Sequence, residues 1–239
     1  MRAVILAGGL GMRLRPYTTV LPKPLVPVGD RPILEHILRR LAACDVTEAD
    51  LCVSHLGELI QTYFSQTRAL PEGFGLRWFW EDEPLGTAGA LRLIPDLDET
   101  FIVMNGDVLT TIDYRELVAH HRKSGAALTI ATHAKAVDID LGVIETENGM
   151  LTGYVEKPTL QYAVSMGIYV YEPRALEFLP ATGPCQFPDL VLDLIAAGEQ
   201  VAAFRSDAEW YDIGTLADYE RASRDFDERR EMFVDYDDA

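Results

Sequence analysis

Lysine is scarce in this chain, cysteine scarcer still, and long apolar runs are missing. Only Cys44, Cys52 and Cys185 occur in 239 residues, far apart in sequence. An odd, widely spaced set argues against a disulfide framework and lacks metal-ligand spacing, so it reads as buried, reduced thiols of a cytoplasmic protein. No apolar run reaches the roughly 18 residues of a membrane span, and the basic start lacks a signal-peptide core, so neither a span nor secretion is expected. Basic character is missing overall. A formal net charge of −17 argues against nucleic-acid or anionic-membrane partners, both of which need a positive surface. Repeats, linkers and low-complexity segments are absent as well.

What remains is a chain 48% hydrophobic, ample for one large domain or a domain with a small lobe, and too short for a second catalytic domain. Its positive charge is concentrated at the start: Arg2, Arg13, Arg15, Lys23 and Arg31 face Asp30 alone within residues 1–31. An anionic small ligand is expected there. The only lysines are Lys23, Lys123, Lys135 and Lys157, and Lys23 and Lys157 each precede a proline. Where arginine is the default base, a retained lysine points to a compact point charge.

The same region holds the most informative run. An apolar strand, Val4 to Leu6, leads into Ala7-Gly8-Gly9-Leu10-Gly11-Met12-Arg13-Leu14-Arg15-Pro16, and Leu21-Pro22-Lys23-Pro24 follows. Gly8, Gly9 and Gly11 are expected to take positive φ and bring main-chain N–H groups onto phosphate oxygens. The Walker Gly-Lys-Ser/Thr is absent, and Leu14 replaces the third glycine of the dinucleotide fingerprint.

Apolar runs alternate with helical patterns through the first half. Strands are expected at Val4 to Leu6, Leu51 to Ser54, Leu76 to Trp80 and Phe101 to Asn105. Helices are expected on the face Ile33, Leu34, Ile37, Leu38 and Leu41, near Leu56 to Phe64, and over Thr87 to Ile94. These are βαβ units around a mostly parallel sheet, with ligands at the strand carboxyl ends. After a helix over Asp113 to Ser124 the pattern turns to strands: Leu128 to Thr132, Gly142 to Glu145, Leu151 to Lys157 and Ser165 to Tyr171, with Asn148-Gly149 as a hairpin turn. A helix from Pro188 to Ala197, a strand from Gln200 to Phe204 and a helix from Leu216 to Phe226 close the domain. The expected organisation is one domain over 1–225, in two parts at about 1–112 and about 113–225. An acidic tail, 226–239, is expected to fray unless Phe226, Met232, Phe233 or Tyr236 docks it. Trp78, Phe79 and Trp80 are read as sheet packing, and His120 and His121 as helix surface.

The amino-terminal run closely resembles the signature of the sugar-1-phosphate nucleotidyltransferases. Further matches follow in family order: Glu83-Pro84-Leu85-Gly86-Thr87-Ala88-Gly89-Ala90, Asn105-Gly106-Asp107, Glu156-Lys157-Pro158, Gly167-Ile168-Tyr169 and Trp210-Tyr211-Asp212-Ile213-Gly214. The resemblance implies a Rossmann-like α/β fold, a mixed, mostly parallel sheet flanked by helices, with a small β-rich sugar-binding part, and makes 1–225 a catalytic domain whose nucleotide half is about 1–112 and sugar half about 113–225. It also implies attack of a sugar-1-phosphate oxygen on the α-phosphorus of a nucleoside triphosphate, with loss of pyrophosphate. Two polyanions must meet, so catalysis is positioning and charge neutralisation.

By resemblance, Arg13 and Lys23 are the catalytic cations, and Leu6, Ala7, Gly8, Gly9, Gly11, Met12, Glu81, Gly86, Thr87, Asn105 and Gly106 complete the nucleotide site. Asp107 and Asp212 are the expected Mg²⁺ ligands; a hard ion takes one or two carboxylates plus phosphate oxygens. Lys157 is expected on the sugar's phosphate and Glu156 on its hydroxyls, both facing inward at a broken strand end, with Gly142 and Gly167 passing close to the ring. Ser165 stands where relatives usually carry Asn, which leaves the sugar open. The resemblance sets the Leu85-Gly86-Thr87 turn against the base, with Glu81 on the base edge. A carboxylate accepts both adjacent donors of guanine, N1–H and N2–H₂, whereas an amide matches uracil or thymine; GTP is therefore the expected donor. A uridylyl- or thymidylyltransferase, a non-catalytic sugar-nucleotide-binding regulatory subunit and a glycosyltransferase remain as competitors. Any homo-oligomer must form through the catalytic domain, because the hexapeptide repeat of some relatives is missing.

Overall fold

The computed structural model describes residues 1–67 and 69–234. Strands β1 (Arg2–Leu6), β2 (Pro27–Val28) and β3 (Arg31–Pro32) precede helix α1 (Ile33–Ala43). Next come β4 (Glu48–Val53), α2 (Gly57–Gln66), β5 (Gly75–Trp80), α3 (Gly86–Gly89), β6 (Phe101–Asn105), β7 (Val108–Thr110) and α4 (Tyr114–Ser124). Strands β8 (Leu128–Asp138), β9 (Val143–Glu147), β10 (Met150–Val155) and β11 (Thr159–Tyr171) lead to α5 (Phe187–Ala196), β12 (Val201–Arg205), β13 (Trp210–Asp212), α6 (Leu216–Glu228) and α7 (Arg230–Phe233).

Seven strands form one sheet in the order β12-β8-β11-β6-β1-β4-β5. Pairs β1–β4, β1–β6, β4–β5 and β12–β8 are parallel, and β11 is antiparallel to both β6 and β8. Alternation decides the layers. Ile5, Ile102 and Met104 join one core with the apolar face of α1, Leu117 of α4 and Phe226 of α6. Val4, Phe101 and Val103 point the other way, onto Ala88, Leu91, Leu190 and Leu194. Because β4 and β6 flank β1 on opposite sides, the connections diverge there. The carboxyl ends of β1, β4, β5 and β6 open side by side, which is where such sheets bind ligands.

Several sequence expectations change. The helix expected over Thr87 to Ile94 is one α-turn followed by a 3₁₀ turn, Ala90–Leu93. Strands β8 and β11 run well past the short apolar cores that signal them, because their outer halves pair only with each other, Ala134 with Ala163 and Val137 with Leu160. Exposed on both faces there, they carry no burial alternation to read. His121 is buried rather than on the surface: its ring nitrogens lie 2.7 Å from Thr129 Oγ1 and 3.1 Å from Glu172 Oε1. Trp78 and Phe79 pack on opposite faces of the sheet as expected, while Trp80 is 37% exposed on the edge strand.

The fraying expected from 226 onward does not occur through Val234. Phe226 and Phe233 are fully buried, Met232 is exposed, and Tyr236 lies outside the described residues. Phe226 meets the His36 ring at 5.0 Å and the Phe233 ring at 5.5 Å, and Arg40 bonds the carbonyls of Met232 and Phe233. Truncating so large a core residue costs about 3–5 kcal/mol. Phe226→Ala is therefore expected to lower the urea midpoint sharply at unchanged slope; a midpoint equal to the parent's would contradict this docking.

Candidate active site

Main-chain hydrogen bonds sew the strand ends into one rim. Ala7 N donates to Cys52 O at 2.8 Å, Gly106 N to Leu6 O at 2.9 Å and Glu81 N to Val53 O at 2.9 Å. The glycine run thus leaves β1 with Asn105, Gly106 and Asp107 on one flank and Ser54 and Glu81 on the other. Ser54 Oγ donates to Gly8 O at 2.8 Å. In the sequence Ser54 reads only as the end of a strand, and its place at a parallel strand's carboxyl terminus is the signal that marks it.

Of the three loop glycines only Gly11 takes positive φ, at 61°, which corrects the expectation for Gly8 and Gly9. A Cβ on Gly11 would crowd Thr18 Cγ2 at 3.0 Å and Lys23 Cβ at 3.2 Å, so both the turn and its packing exclude a side chain. A Cβ on Gly8 would lie 2.7 Å from Glu81 Oε1, so the Glu81 side chain would have to shift, while Gly9 faces open space. Met12 and Arg13 follow on an exposed 3₁₀ turn. Arg13 has no ion-pair partner among the described residues, and its Nη2 lies 3.4 Å from the position a Cβ on Gly214 would take.

Lys23 behaves otherwise. Carried on a short turn between Pro22 and Pro24, it is only 9% exposed, and its ammonium is ion-paired with Asp107 Oδ2. Asp107 and Asp212, 105 positions apart in sequence, are brought together by the small sheet in which Asp212 pairs with Val108 and by Ile213 N donating to Asp107 O at 3.1 Å. Burial first, and the neighbouring Asp107 charge second, push the Asp212 carboxyl above the usual carboxylate range; Lys23 and Arg13 pull the other way. Asp107 Oδ1 is buried without a hydrogen-bond partner.

An orphaned buried oxygen and a repelling carboxylate beside it are donors that a hard dication satisfies. No cluster of three or more His, Cys, Asp or Glu fit for a metal occurs among the described residues, so phosphate oxygens and water must complete any coordination. Between the unfolded and the raised folded pKa of Asp212 the native state holds more protons than the unfolded one, so stability falls as pH rises through that window. Asp212→Asn removes this loss. In metal-free buffer near neutral pH its melting temperature is expected to rise by about 2–4 °C, readable by calorimetry; a lower one would refute the repulsion.

Glu81 is half-buried, accepts from Leu85 N at 3.1 Å, and is pushed above its ordinary pKa by that burial. Gly86 has φ 77°, and a Cβ there would collide with Cys185 O at 2.5 Å. The Leu85-Gly86-Thr87 turn is stitched to the start of α5: Cys185 N donates to Leu85 O at 2.8 Å and Phe187 N to Thr87 Oγ1 at 2.8 Å. Sequence reasoning passed over Gln186, whose amide nitrogen lies 2.8 Å from the missing Gly86 Cβ. No spacing motif announces that contact.

The residues expected on the sugar side fall into two groups. Gly167, at φ 71°, lies against Asn105, 2.6 Å from its Nδ2 to the Cβ position, and its N–H donates to Ser165 Oγ at 3.3 Å. Gly142, Tyr154 and Glu156 cluster further out, with Tyr154 OH donating to Glu156 Oε2 at 2.8 Å. The inward strand-end geometry expected for Glu156 and Lys157 is not found. Strand β10 stops at Val155, both residues lie exposed in a bend, Lys157 has φ 46°, and no ion pair joins Lys157 to another described residue.

Residues 2–229 match the family model for nucleotidyl transferases. The chain belongs to that family. It is 34% identical over 94% of its length to UTP–glucose-1-phosphate uridylyltransferase of Synechocystis sp., covering 63% of that protein. It is 32% identical over 92% of its length to mannose-1-phosphate guanyltransferase of Candida albicans, covering 62% of it. It thus spans somewhat under two thirds of these curated relatives. HddC from Yersinia pseudotuberculosis, solved in complex with GMP-PN, superposes with a TM-score of 0.70 at 26% identity over 94% of this chain and 99% of that one. No helix among the described residues is long and apolar enough to cross a membrane.

Proposed function

We propose that this chain transfers a nucleoside monophosphate from a nucleoside triphosphate, GTP by preference, to a sugar-1-phosphate, giving a nucleotide sugar and pyrophosphate. One observation carries the reading: Lys23, Asp107 and Asp212 meet beside the glycine loop, with the Arg13 guanidinium near enough to Asp212 to oppose its charge. The attacking sugar-phosphate oxygen is already ionised and needs no general base. It forms the new P–O bond at the α-phosphorus, the α–β bridge breaks, and pyrophosphate leaves with the bridging electrons. Loop amides and Arg13 stabilise the charge that gathers on the α-phosphate and the leaving group. Asp107 and Asp212 would hold Mg²⁺, which supplies charge neutralisation between the two polyanions.

When a triphosphate arrives, Lys23 exchanges Asp107 for phosphate oxygens. Lys157, exposed and uncommitted, is the anchor for the sugar's phosphate, with Glu156 on its hydroxyls; Ser165, Gly167 and Gly142 line the approach. Lys157→Ala is expected to raise KM for the sugar-1-phosphate about tenfold or more, as loss of one charge-assisted contact requires, while KM for the triphosphate stays within twofold. Equal effects on both would place Lys157 elsewhere.

The guanine preference rests on Glu81, an acceptor-only side chain at the rim, and the guanyltransferase relatives and the GMP-PN complex of HddC support it. A uridylyl donor is the second reading, favoured by the Synechocystis relative. Three thiols, all buried and free, fit a reducing cytoplasm. Pyrophosphate release measured with GTP, UTP, dTTP, CTP and ATP against mannose- and glucose-1-phosphate tests the proposal. Release should require both substrates and be fastest with GTP. Binding without release in every combination would instead indicate a sugar-nucleotide-binding regulatory subunit.

A further inference from the structure

On the nucleotide reading the segment 81–89 faces the base, and its side chains offer almost no hydrogen-bond donors. Its side chains include Glu81, Asp82 and Glu83, all acceptors, and Thr87. Of its main-chain N–H groups, Glu81 N bonds Val53 O, Leu85 N bonds Glu81 Oε2, and Ala88 N and Gly89 N bond Cys185 O. The Thr87 hydroxyl accepts from Phe187 N at 2.8 Å, which leaves its own proton to be given away.

It is given to Gln186. Gln186 Oε1 lies 3.4 Å from Thr87 Oγ1 and 3.5 Å from Thr87 N, both donors. That pair decides which way the carboxamide points, because its oxygen must face them and its Nε2 must turn outward. The Nε2 then lies over Gly86, 2.8 Å from the position that only a glycine leaves open. Gln186 is exposed at the mouth of the turn, and it is the one side chain in residues 81–89 and 185–187 that carries N–H donors.

We propose that Gln186 is a base-selecting residue: its Nε2 donates to the exocyclic carbonyl that stands next to a ring N–H, which is O6 of guanine or O4 of uracil and thymine. Adenine and cytosine put an amino group at that place, and a donor there meets a donor. The inference rests on the nucleotide reading above and on the turn facing the base, but not on guanine being preferred over uracil. Glu81 distinguishes the two carbonyl bases from each other, and Gln186 separates both from the amino bases. The names of the Synechocystis and Candida relatives, a uridylyl- and a guanyltransferase, both belong to the carbonyl class.

The test pairs substitutions with nucleotide analogues on the full chain, with mannose- and glucose-1-phosphate as acceptors and melting curves to verify folding. Gln186→Ala should lower kcat/KM for GTP and UTP about tenfold, the worth of one hydrogen bond, yet leave 2-aminopurine riboside triphosphate, which lacks O6, unchanged. Gln186→Glu should lower GTP and UTP further and raise the ATP:GTP and CTP:UTP ratios at least tenfold. Equal losses on GTP and the 2-aminopurine analogue, or an unmoved ATP:GTP ratio in Gln186→Glu, would overturn the assignment. A parent enzyme that prefers UTP refutes only the guanine reading, since the CTP:UTP ratio still reports on Gln186. Failure of fluorescent GTP and UTP analogues to bind would remove the nucleotide site itself, and this proposal with it.

Discussion

Asp107→Asn is expected to reduce pyrophosphate release by about a thousandfold or more with little loss of fold. The substitution removes one of two carboxylates available for a dication, and it places an amide where a buried oxygen already lacks a partner. Removing a single electrostatic stabiliser from an enclosed site costs about 10²–10³ in turnover. Folding should survive, because Asp107 is held through its backbone, its carbonyl accepting from Ile213 N. Steady-state kinetics with excess Mg²⁺, together with a denaturation curve, check both halves. Near-parent turnover would exclude Asp107 from the reaction.

Glu81→Gln is the second large effect, on selectivity rather than rate. An ionised Glu81 can accept from N1–H and N2–H₂ of guanine while one oxygen also takes the Leu85 amide, because each carboxylate oxygen has two lone pairs. Glutamine has a single acceptor oxygen and brings an NH₂ toward guanine's own donor. Losing one charged hydrogen bond and opposing two donors is worth about 3–4 kcal/mol, so GTP should lose 10²-fold or more in kcat/KM relative to UTP. Burial raises the pKa of Glu81, so in the parent enzyme KM for GTP should begin to climb on acidification at a pH above the ordinary carboxylate range. Glu81→Gln should lack that limb. A GTP:UTP ratio unchanged by the substitution would remove Glu81 from base recognition.

Much of this was legible before the structure because it rests on local chemistry. The periodic face from Ile33 to Leu41, the apolar strand from Phe101 to Asn105 and the Asn148-Gly149 turn each carry their signal within a few residues. The carboxylate pair was legible only through its motifs, since nothing in the spacing from Asp107 to Asp212 says that β7 and β13 pair. The rest depends on partners distant in sequence. His121 reads as one of two histidines on a polar helix, and only the return of β8 and Glu172 buries it. Phe226 and Phe233 sit in an acidic run that looks unfolded until Gly29, His36 and Arg40 are seen to receive them. Gln186 belongs to no pattern, because its role comes from a contact across 99 residues with Thr87.

The most direct test of the account is a crystal of the enzyme grown with GTP and Mn²⁺, with the metal located by its anomalous signal. The account predicts a manganese peak bound by both Asp107 and Asp212 and by phosphate oxygens, with the triphosphate over Gly8 to Arg13 and the base against Leu85, Gly86 and Glu81. A metal held away from either aspartate, or a triphosphate bound anywhere but the glycine loop, would contradict it.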